Sequence, residues 1–252
     1  MTRLLTIENL SCGYDGVPVV RGLSMYVDAG EVVALLGPNG AGKTTTLMTI
    51  SGLIRVLEGS VEVLGKPVPK LRQAHTVADE GLLHVPENRG LFYQLTVDEN
   101  LKLAPGVDKP DLDQAYRQFP PLAPLGKRNA GTLSGGEQQM LALARAFLAS
   151  PKLLMVDEMS LGLAPVIYEN LMPMVREAAD EGGAGVLLVE QHTDLALAQS
   201  DRAYVLNHGD LVLEGTAADL LRDRHLIDAA YMGAEALDED PADTIDDPSA
   251  AD

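Results

Sequence analysis

The sequence predicts an α/β fold with a buried parallel sheet and an inserted helical segment. Three continuously apolar runs, at 32–36, 153–156 and 186–189, are typical of strands that helices cover on both faces. A helical pattern follows each run, so strands and helices alternate along the chain. Between residues 87 and 150 the pattern changes, because prolines divide helical segments and no strand pattern is evident.

Further runs complete the predicted elements, and most of them are bounded by Gly, Asp or Asn. The additional strands are predicted at 4–10, 23–27, 61–64, 82–85, 203–206 and 211–213. The helices are predicted at 43–51, 137–149, 164–180 and 193–200. We assign one folded unit to 1–233, with its core at 1–86 and 151–233 and a helical subdomain at 87–150.

Charge and composition argue against several classes of protein. The net charge of −18 argues against a nucleic-acid partner, because such binding needs Lys and Arg to neutralise phosphates. Much of this charge lies in residues 234–252, whose composition predicts a disordered acidic tail, with a docking tail as the alternative. No apolar run approaches the ~20 residues needed to span a bilayer, and we find no export signal. The single cysteine, Cys12, is compatible with a reducing compartment.

A glycine-rich loop between an apolar strand and a helix predicts a phosphate site. The loop, which matches G-x-x-x-x-G-K-[ST], reads Gly37-Pro38-Asn39-Gly40-Ala41-Gly42-Lys43-Thr44. Its glycines let backbone N–H groups surround phosphate oxygens, and the helix N-terminus adds a positive dipole end. Lys43 would reach the β- and γ-phosphates of a nucleotide, and Thr44 would offer its hydroxyl to Mg²⁺. Thr45 would donate near the α-phosphate.

Two carboxylates follow the apolar run at 153–156. Asp157 and Glu158 should lie at the carboxyl edge of the sheet beside the phosphate loop, where open α/β sheets bind ligands. Asp157 would hold the Mg²⁺ shell, and Glu158 could polarise a water that attacks the γ-phosphate. An apolar strand ending in acids is by itself equally typical of an ordinary strand end, and the phosphate loop favours the functional interpretation.

A third motif gives the chain a family resemblance. Residues 133–139, Leu-Ser-Gly-Gly-Glu-Gln-Gln, resemble the signature sequence of ABC ATPases and lie between the phosphate loop and the acidic strand, as in that family. The resemblance covers about residues 4–233 and implies an ATP- and Mg²⁺-binding P-loop NTPase (RecA-like) core with an antiparallel β subdomain. It also implies a head-to-tail homo- or heterodimer in which each signature meets the ATP of the other subunit. The residues that would make this contact are Ser134, Gly135, Gly136 and Glu137.

The resemblance assigns further residues at the nucleotide. Tyr14 matches the aromatic residue that stacks on adenine. Glu87 stands where most ABC ATPases have a Gln near Mg²⁺ and the attacking water, and we expect its carboxylate to retain that role. The position of the family's switch histidine falls on Gln191, with His192 next to it. Either residue could contact the γ-phosphate, and a solvent-facing His192 is the simpler alternative.

Within this family the chain looks like the subunit type of importers for branched-chain or other hydrophobic amino acids, often called LivF. The stretches that carry this likeness are 85–87, 95–101, 160–165, 188–191 and 230–233. The likeness implies an ATPase motor at the cytoplasmic face of a bacterial membrane. Its partners would be a second ATPase subunit, two permeases that dock on the helical subdomain, and indirectly an external solute-binding protein. Met159, in place of the family's proline, and a short helical segment depart from the pattern.

Three alternatives stay open. Importers of urea, amides or other small solutes use similar ATPases, and nothing in the sequence indicates the solute. A soluble ABC regulator of nucleic-acid processes usually has two cassettes, a coiled coil or basic patches, and none of these is evident. A P-loop kinase would need an acceptor substrate, and the signature sequence argues against it.

Overall fold

The molecule combines two β-sheets with a set of helices. A computed structural model describes residues 2–68 and 81–232. The strands are β1 (Arg3–Tyr14), β2 (Val17–Asp28), β3 (Val32–Leu36), β4 (Val56–Val63), β5 (Lys66–Pro67), β6 (Leu82–Val85), β7 (Leu153–Asp157), β8 (Gly185–Glu190), β9 (Arg202–Asn207) and β10 (Asp210–Thr216). The helices are α1 (Lys43–Ile50), α2 (Val97–Lys102), α3 (Leu112–Gln118), α4 (Gly135–Leu148), α5 (Pro165–Asp180), α6 (Thr193–Leu197), α7 (Ala217–Arg222) and α8 (Arg224–Met232). The predicted acidic tail lies outside the described residues.

The central sheet has six strands in the order β10-β9-β3-β8-β7-β6. Five of them are parallel, and β10 pairs with β9 in the antiparallel direction. Every residue of β3, β7 and β8 is buried. Alternate residues of β3 enter two separate cores, with Val32, Ala34 and Leu36 in one and Val33 and Leu35 in the other. The predicted buried parallel sheet is confirmed, and burial of both faces explains its continuously apolar strands.

The second sheet is antiparallel, with the order β2-β1-β4-β5. Its first two strands form a hairpin that is longer than the runs at 4–10 and 23–27 predicted. Asp15 and Gly16 turn the hairpin with positive φ angles of 51° and 81°, as a tight two-residue hairpin turn requires. Shifts of register along the β1–β2 pair break the alternation of apolar and polar residues, so the sequence pattern ends early. β4 begins at Val56 rather than residue 61, and the two-residue β5 was not predicted.

The segment between β6 and β7 is helical. It contains α2, α3, α4 and two 3₁₀ helices, Pro120–Leu125 and Ala130–Thr132. Side-chain caps start the α-helices: Thr96 and Ser134 each form a capping box with the acid three residues later. The helix predicted at 137–149 therefore begins at Gly135, directly after its Ser134 cap. The boundaries that we give to the subdomains remain our proposal.

Paired charges occupy the amino end of the parallel strands. Glu31 accepts hydrogen bonds from Arg202 Nε at 2.5 Å and Nη2 at 3.0 Å. The guanidinium of Arg202 also lies 3.9 Å from the ring centroid of Tyr26, and that of Arg3 lies 3.7 Å from the same centroid. These contacts join the start of β9 to β2 and to the turn before β3, so they hold the two sheets together.

Candidate functional site

The loop between β3 and α1 has a backbone that only glycine permits at two positions. A Cβ on Gly37 would lie 2.3 Å from the carbonyl oxygen of Leu206, and one on Gly42 would lie 2.4 Å from Val20 Cγ2. Gly42 also has a positive φ of 101° and precedes α1 without any side-chain cap. The first N–H groups of α1 therefore remain open to a ligand, as an anion site at a helix N-terminus requires.

Lys43 places a buried positive charge inside this loop. The residue is 4% exposed. Its Nζ donates to the carbonyl oxygens of Gly37 at 2.8 Å and Pro38 at 3.1 Å, and lies 3.4 Å from Glu158 Oε1. Two carbonyls and one carboxylate at this distance leave the ammonium able to exchange partners with an entering anion.

Asp157 is the last residue of β7 and is 2% exposed. One carboxyl oxygen, Oδ1, is buried without a hydrogen-bond partner in the described part of the chain. Burial raises the pKa of Asp157 to about 6; the Thr44 hydroxyl and Lys43 oppose the rise, and the charges of Glu158 and Glu87 add to it. A cation next to Oδ1 would relieve this penalty, so the residue fits a metal ligand.

Glu158 follows β7 in the left-handed region, with a φ of 46°. Its backbone N–H donates to the carbonyl oxygen of Val189 at 2.9 Å, which joins it to β8. Left-handed backbone is unfavourable for a residue with a Cβ and is concentrated at functional sites. The conformation turns the chain sharply at the point where Glu158 Oε1 meets Lys43.

Lys43 and Glu158, but not the buried Asp157, line one cavity of about 320 Å³. It is lined by Val19, Asn39, Gly40, Gly42, Lys43, Thr44, Thr45, Glu87, Glu158, Leu161 and Gln191. The structure thus brings the phosphate loop together with Glu87, Glu158 and Gln191, which are distant in sequence. Val19 and Leu161 complete the wall, and the sequence analysis assigned them no role.

Tyr14 and His192 lie elsewhere. Tyr14 is 53% exposed and lines a separate hollow of about 590 Å³, where its hydroxyl donates to Met48 Sδ at 3.9 Å. His192 is exposed and lines a cavity beside α8, whereas its neighbour Gln191 lines both that cavity and the phosphate cavity. Of the two candidates left open by the sequence, the geometry favours Gln191.

The signature residues also lie outside the phosphate cavity. Ser134 is exposed, and its hydroxyl accepts the N–H of Glu137 at 3.3 Å. Glu137 in turn accepts the N–H of Ser134 through Oε2 at 2.7 Å. Gly136 faces α5, because a Cβ there would lie 3.0 Å from Ile167 Cγ2. The signature helix thus begins with a capped, exposed end that does not line the phosphate cavity of its own chain.

Arginine contacts connect the loop after Glu87 to the signature helix. Arg89 donates through Nη1 to Gln138 at 2.7 Å and through Nε to Gln139 at 3.1 Å. Arg145, further along α4, donates through Nη2 to the carbonyl oxygen of Gly90 at 2.6 Å. Neither arginine was predicted from the sequence, because no spacing in the sequence signals contacts between residues about fifty positions apart.

Glu190, at the end of β8, was also missed. It is fully buried, and its carboxylate accepts two hydrogen bonds from Ser160, at 3.0 Å from the N–H and 2.5 Å from the O–H. Burial raises its pKa, and the two bonds from Ser160 oppose the rise. A carboxylate at the end of an otherwise apolar strand was a signal that the sequence offered.

Two wider observations concern the described residues. None of their helices combines the length and the apolar character that crossing a bilayer requires. In residues 2–68 and 81–232, no group of three or more His, Cys, Asp or Glu side chains could hold a metal ion by itself. A metal at Asp157 would therefore have few protein ligands and would take the rest from a bound phosphate or from water, which is the usual environment of Mg²⁺.

Curated relatives match nearly the whole chain. The high-affinity branched-chain amino acid transport ATP-binding protein BraG of Pseudomonas aeruginosa is 40% identical, over 91% of this chain and 100% of BraG. A probable branched-chain amino acid transport ATP-binding protein, LivF of Archaeoglobus fulgidus, is 38% identical over 86% of this chain and 94% of its own. The lipopolysaccharide export system ATP-binding protein LptB of Haemophilus influenzae is 31% identical over 92% and 98%, respectively.

A solved structure agrees with these relatives. An ATP-binding subunit of an ABC transporter superposes with a TM-score of 0.77 and 30% identity, over 91% of this chain and 98% of its own. The family model described as ABC transporter matches residues 20–160, a range that holds the phosphate loop, the signature and both acids after β7. The family predicted from the motifs is therefore confirmed: this chain belongs to the ABC transporter family and is an ATP-binding, ATP-hydrolysing subunit of a transporter.

Proposed function

We propose that this chain is the ATPase motor of an importer for branched-chain or other hydrophobic amino acids, at the cytoplasmic face of a bacterial membrane. The observation that carries the motor role is the meeting of the phosphate loop, Glu87, Glu158 and Gln191 in one cavity. The solute class is supported by BraG and LivF, which are 40% and 38% identical, whereas LptB, of an export system, is 31% identical.

Phosphate binding would begin with the open N-terminus of α1. Its N–H groups and those of the loop Gly37–Gly42 surround the phosphate oxygens, together with the side chains of Thr44 and Thr45. Lys43 exchanges its bonds to the Gly37 and Pro38 carbonyls for bonds to the β- and γ-phosphates. A charge-assisted bond to phosphate is stronger than one to a neutral carbonyl, which favours this exchange.

Mg²⁺ fits the environment of Asp157. The unpartnered, buried Oδ1 and the hydroxyl of Thr44 would hold the ion, and Glu87 in the cavity wall would complete the protein ligands. Held there by Asp157 and Thr44, Mg²⁺ would supply positive charge against the phosphates of the nucleotide. Asp157 then serves as an ionised ligand, because the nearby cation favours its charged form.

Hydrolysis would use Glu158 to orient and deprotonate the attacking water. Its carboxylate is fixed near Lys43, at the place where the terminal phosphate of the nucleotide would lie. Gln191 would contact the γ-phosphate through its side-chain amide, and Glu87 would help to position the water. Orientation and charge stabilisation supply most of the catalysis in such phosphoryl transfers.

A complete site needs a second subunit. The exposed, capped end of the signature helix carries Ser134, Gly135, Gly136 and Glu137, and would contact the ATP of a partner ATPase arranged head to tail. That partner is a second copy or a related subunit. The half-exposed Tyr14 would stack on the adenine of the chain's own ATP. Two membrane-embedded permeases would dock on the helical segment, and a solute-binding protein would act through them.

The first experiment tests hydrolysis and dimerisation together. Phosphate release and mass in solution are measured with ATP and Mg²⁺ for the parent, for Glu158→Gln and for Glu62→Gln, an exposed glutamate on β4 that serves as the control. We expect hydrolysis by the parent and the control, and a stable ATP-bound dimer of Glu158→Gln without turnover. If both properties need the neighbouring ATPase subunit, the dimer is heteromeric. Turnover by Glu158→Gln at the parental rate would contradict the proposed role of Glu158.

The solute is tested by transport. A strain that lacks this subunit is supplied with the parent or with Glu158→Gln, and uptake of radiolabelled leucine and of urea is measured. We expect only the parent to restore leucine uptake. Restoration of urea uptake alone would assign the chain to the alternative class of small-solute importers, and restoration of neither would contradict the import function.

A further inference from the structure

Glu190 is a buried carboxylate beside the phosphate cavity, and the proposed hydrolysis gives it no role. It is 0% exposed and immediately precedes Gln191, the residue that lines the phosphate cavity. Both of its oxygens are occupied by one residue: Oε1 accepts the Ser160 N–H at 3.0 Å, and Oε2 accepts the Ser160 O–H at 2.5 Å. We call this pair the Ser160–Glu190 clamp.

The clamp holds the turn that carries Glu158. Ser160 lies two residues after Glu158, and the turn closes through hydrogen bonds from Leu161 N–H to the Glu158 carbonyl and from Leu163 N–H to the Ser160 carbonyl, both at 3.1 Å. Leu161, in the same turn, lines the phosphate cavity. Any shift of Ser160 would therefore move the carboxylate and the cavity wall together.

The clamp adds a second link between neighbouring strand ends. Glu158 N–H already donates to the Val189 carbonyl at 2.9 Å, and the next residue of that strand, Glu190, receives Ser160. The two links fix the left-handed turn at Glu158 against the end of β8. They set the distance between Glu158, which activates the water in the proposed function, and Gln191, which contacts the phosphate.

Sheet stability does not explain a carboxylate at this position. The other five residues of β8 are apolar or glycine and are also buried, so an apolar side chain would suit the strand. A buried carboxylate is unfavourable unless it is fully hydrogen-bonded, and replacing such groups by apolar ones is often neutral or stabilising. The buried Tyr168 hydroxyl has no hydrogen-bond partner in the described residues; burial raises the pKa of Tyr168, and the charge of Glu190 adds to the rise. The carboxylate is nevertheless bonded to Ser160.

We propose that Glu190 is a positioning residue for ATP hydrolysis: through Ser160 it holds the turn of Glu158 in register with Gln191. It touches neither the nucleotide nor the water. The inference rests on the proposed function, because it takes Glu158 as the group that activates the water. It predicts that weakening the clamp lowers the rate of the chemical step and leaves nucleotide binding unchanged.

Four variants test the clamp in the assembly in which the parent hydrolyses ATP. Ser160→Ala removes the hydroxyl donor, Ser160→Thr restores it, Glu190→Gln removes the charge at constant volume, and the fourth variant combines Ser160→Ala with Glu190→Gln. Ser200→Ala is the matched control, because the hydroxyl of Ser200 is also half-buried but donates only to the Ala196 carbonyl, at 2.8 Å. The readouts are kcat, KM for ATP, the Kd of a fluorescent ATP analogue and the melting temperature.

We expect Ser160→Ala and Glu190→Gln to lower kcat by about tenfold to a hundredfold, the range for losing a hydrogen bond to a charged group. The Kd should stay within about twofold of the parent, which separates a positioning effect from a loss of binding. Ser160→Thr should recover most of kcat, and Ser200→Ala should match the parent. The double variant should be no slower than Glu190→Gln alone, since the two groups act as one unit.

Three results would overturn the proposal: parental kcat in Ser160→Ala, a loss that is confined to Kd or melting temperature, or losses that multiply in the double variant. Glu158→Gln, measured in parallel, separates the two levels of inference. If Glu158→Gln keeps parental turnover, the proposed function fails. If Glu158→Gln is inactive while both clamp variants keep parental kcat, the clamp alone fails.

Discussion

Charged groups at the two ends of the six-stranded sheet differ in how completely they are hydrogen-bonded. At the amino end, Glu31 accepts two hydrogen bonds from Arg202, whose guanidinium also lies against Tyr26. At the carboxyl end, Asp157 keeps one buried oxygen without a partner in the described residues. Lys43, at the same end, is held by loop carbonyls rather than by a hydrogen-bonded carboxylate.

This difference separates a stabilising region from a binding region on one element. Paired charges contribute to folding when their hydrogen bonds are complete, whereas a buried polar atom without a partner lowers stability until a ligand reaches it. Residues of the carboxyl end should therefore affect activity strongly and stability weakly or favourably. Residues of the amino end should show the reverse.

The largest effect on activity should come from a substitution in the site at the carboxyl end of the sheet. Lys43→Met removes the buried ammonium, and we expect ATP turnover to fall on the order of 100-fold to 1,000-fold, because charge stabilisation of the transferred phosphate is lost. Phosphate release measures this effect. Circular dichroism should show a melting temperature close to that of the parent, and Lys102→Met, at an exposed lysine, should leave turnover unchanged. Turnover within threefold of the parent in Lys43→Met would contradict the assignment of the site.

The amino end should respond in stability. Arg202→Ala removes a largely buried guanidinium, 21% exposed in its side chain, and leaves Glu31 without its charged partner. We expect the free energy of unfolding to fall by about 2–3 kcal/mol, as for a largely buried pair that loses one member. Urea denaturation measures it. Arg222→Ala, in an exposed pair with Asp219, should change the same quantity by less than about 0.5 kcal/mol. A turnover per folded molecule far below the parental value in Arg202→Ala would contradict the expectation that residues of the amino end affect stability and not activity.

Asp157→Asn removes the buried charge at the carboxyl end, and its effect on stability depends on pH. Burial raises the pKa of Asp157 to about 6, so the folded protein binds a proton more tightly than the unfolded chain, and the charged form lowers stability as pH rises from about 4 to 6. Without nucleotide or Mg²⁺, Asp157→Asn should be more stable than the parent by about 1–3 kcal/mol at pH 7, an advantage that shrinks towards pH 4. Urea denaturation at several pH values checks this. An Asn variant less stable than the parent at pH 7 would mean that the carboxylate is already compensated.

The smallest effects should come from substitutions in the two capping boxes, at Thr96 and Ser134. Ser134→Ala and Thr96→Ala should each lower the free energy of unfolding by about 1 kcal/mol, since each removes an N-cap hydroxyl. Only Ser134→Ala should also lower ATP turnover, because Ser134 is proposed to contact the nucleotide of the partner subunit. Equal turnover in the two variants would show that Ser134 is only a cap.

The parallel strands and the phosphate loop were predictable because their signals are local. Burial of both faces makes a strand continuously apolar, and the loop needs glycine at fixed positions where a Cβ would meet Leu206 or Val20. The β1–β2 hairpin was predicted too short, although Asp15 and Gly16 offered a turn signal. Its register shifts interrupt the period of two on which strand prediction depends.

The remaining contacts of the site depend on tertiary packing. Glu190 meets Ser160 across thirty residues, and only the pairing of β7 with β8 brings them together. Tyr14 lines a hollow separate from the phosphate cavity, and no feature of the sequence indicates that the two are separate. For the same reason, the sequence left the choice between Gln191 and His192 open. The structure places Gln191 at the phosphate cavity and leaves His192 exposed.

The arginine contacts after Glu87 have a mechanical consequence. Arg89 donates hydrogen bonds to side chains in the first turns of α4, and Arg145 donates to the carbonyl oxygen of Gly90. These hydrogen bonds fix the short loop at residues 88–90 against α4. A loop that is fixed in this way transmits a displacement to the helix that it contacts, whereas a flexible loop would absorb the displacement. In the proposed dimer, a nucleotide that displaces Glu87 would therefore also displace the start of the signature helix, and with it the contact that Ser134 is proposed to make with the ATP of the partner subunit.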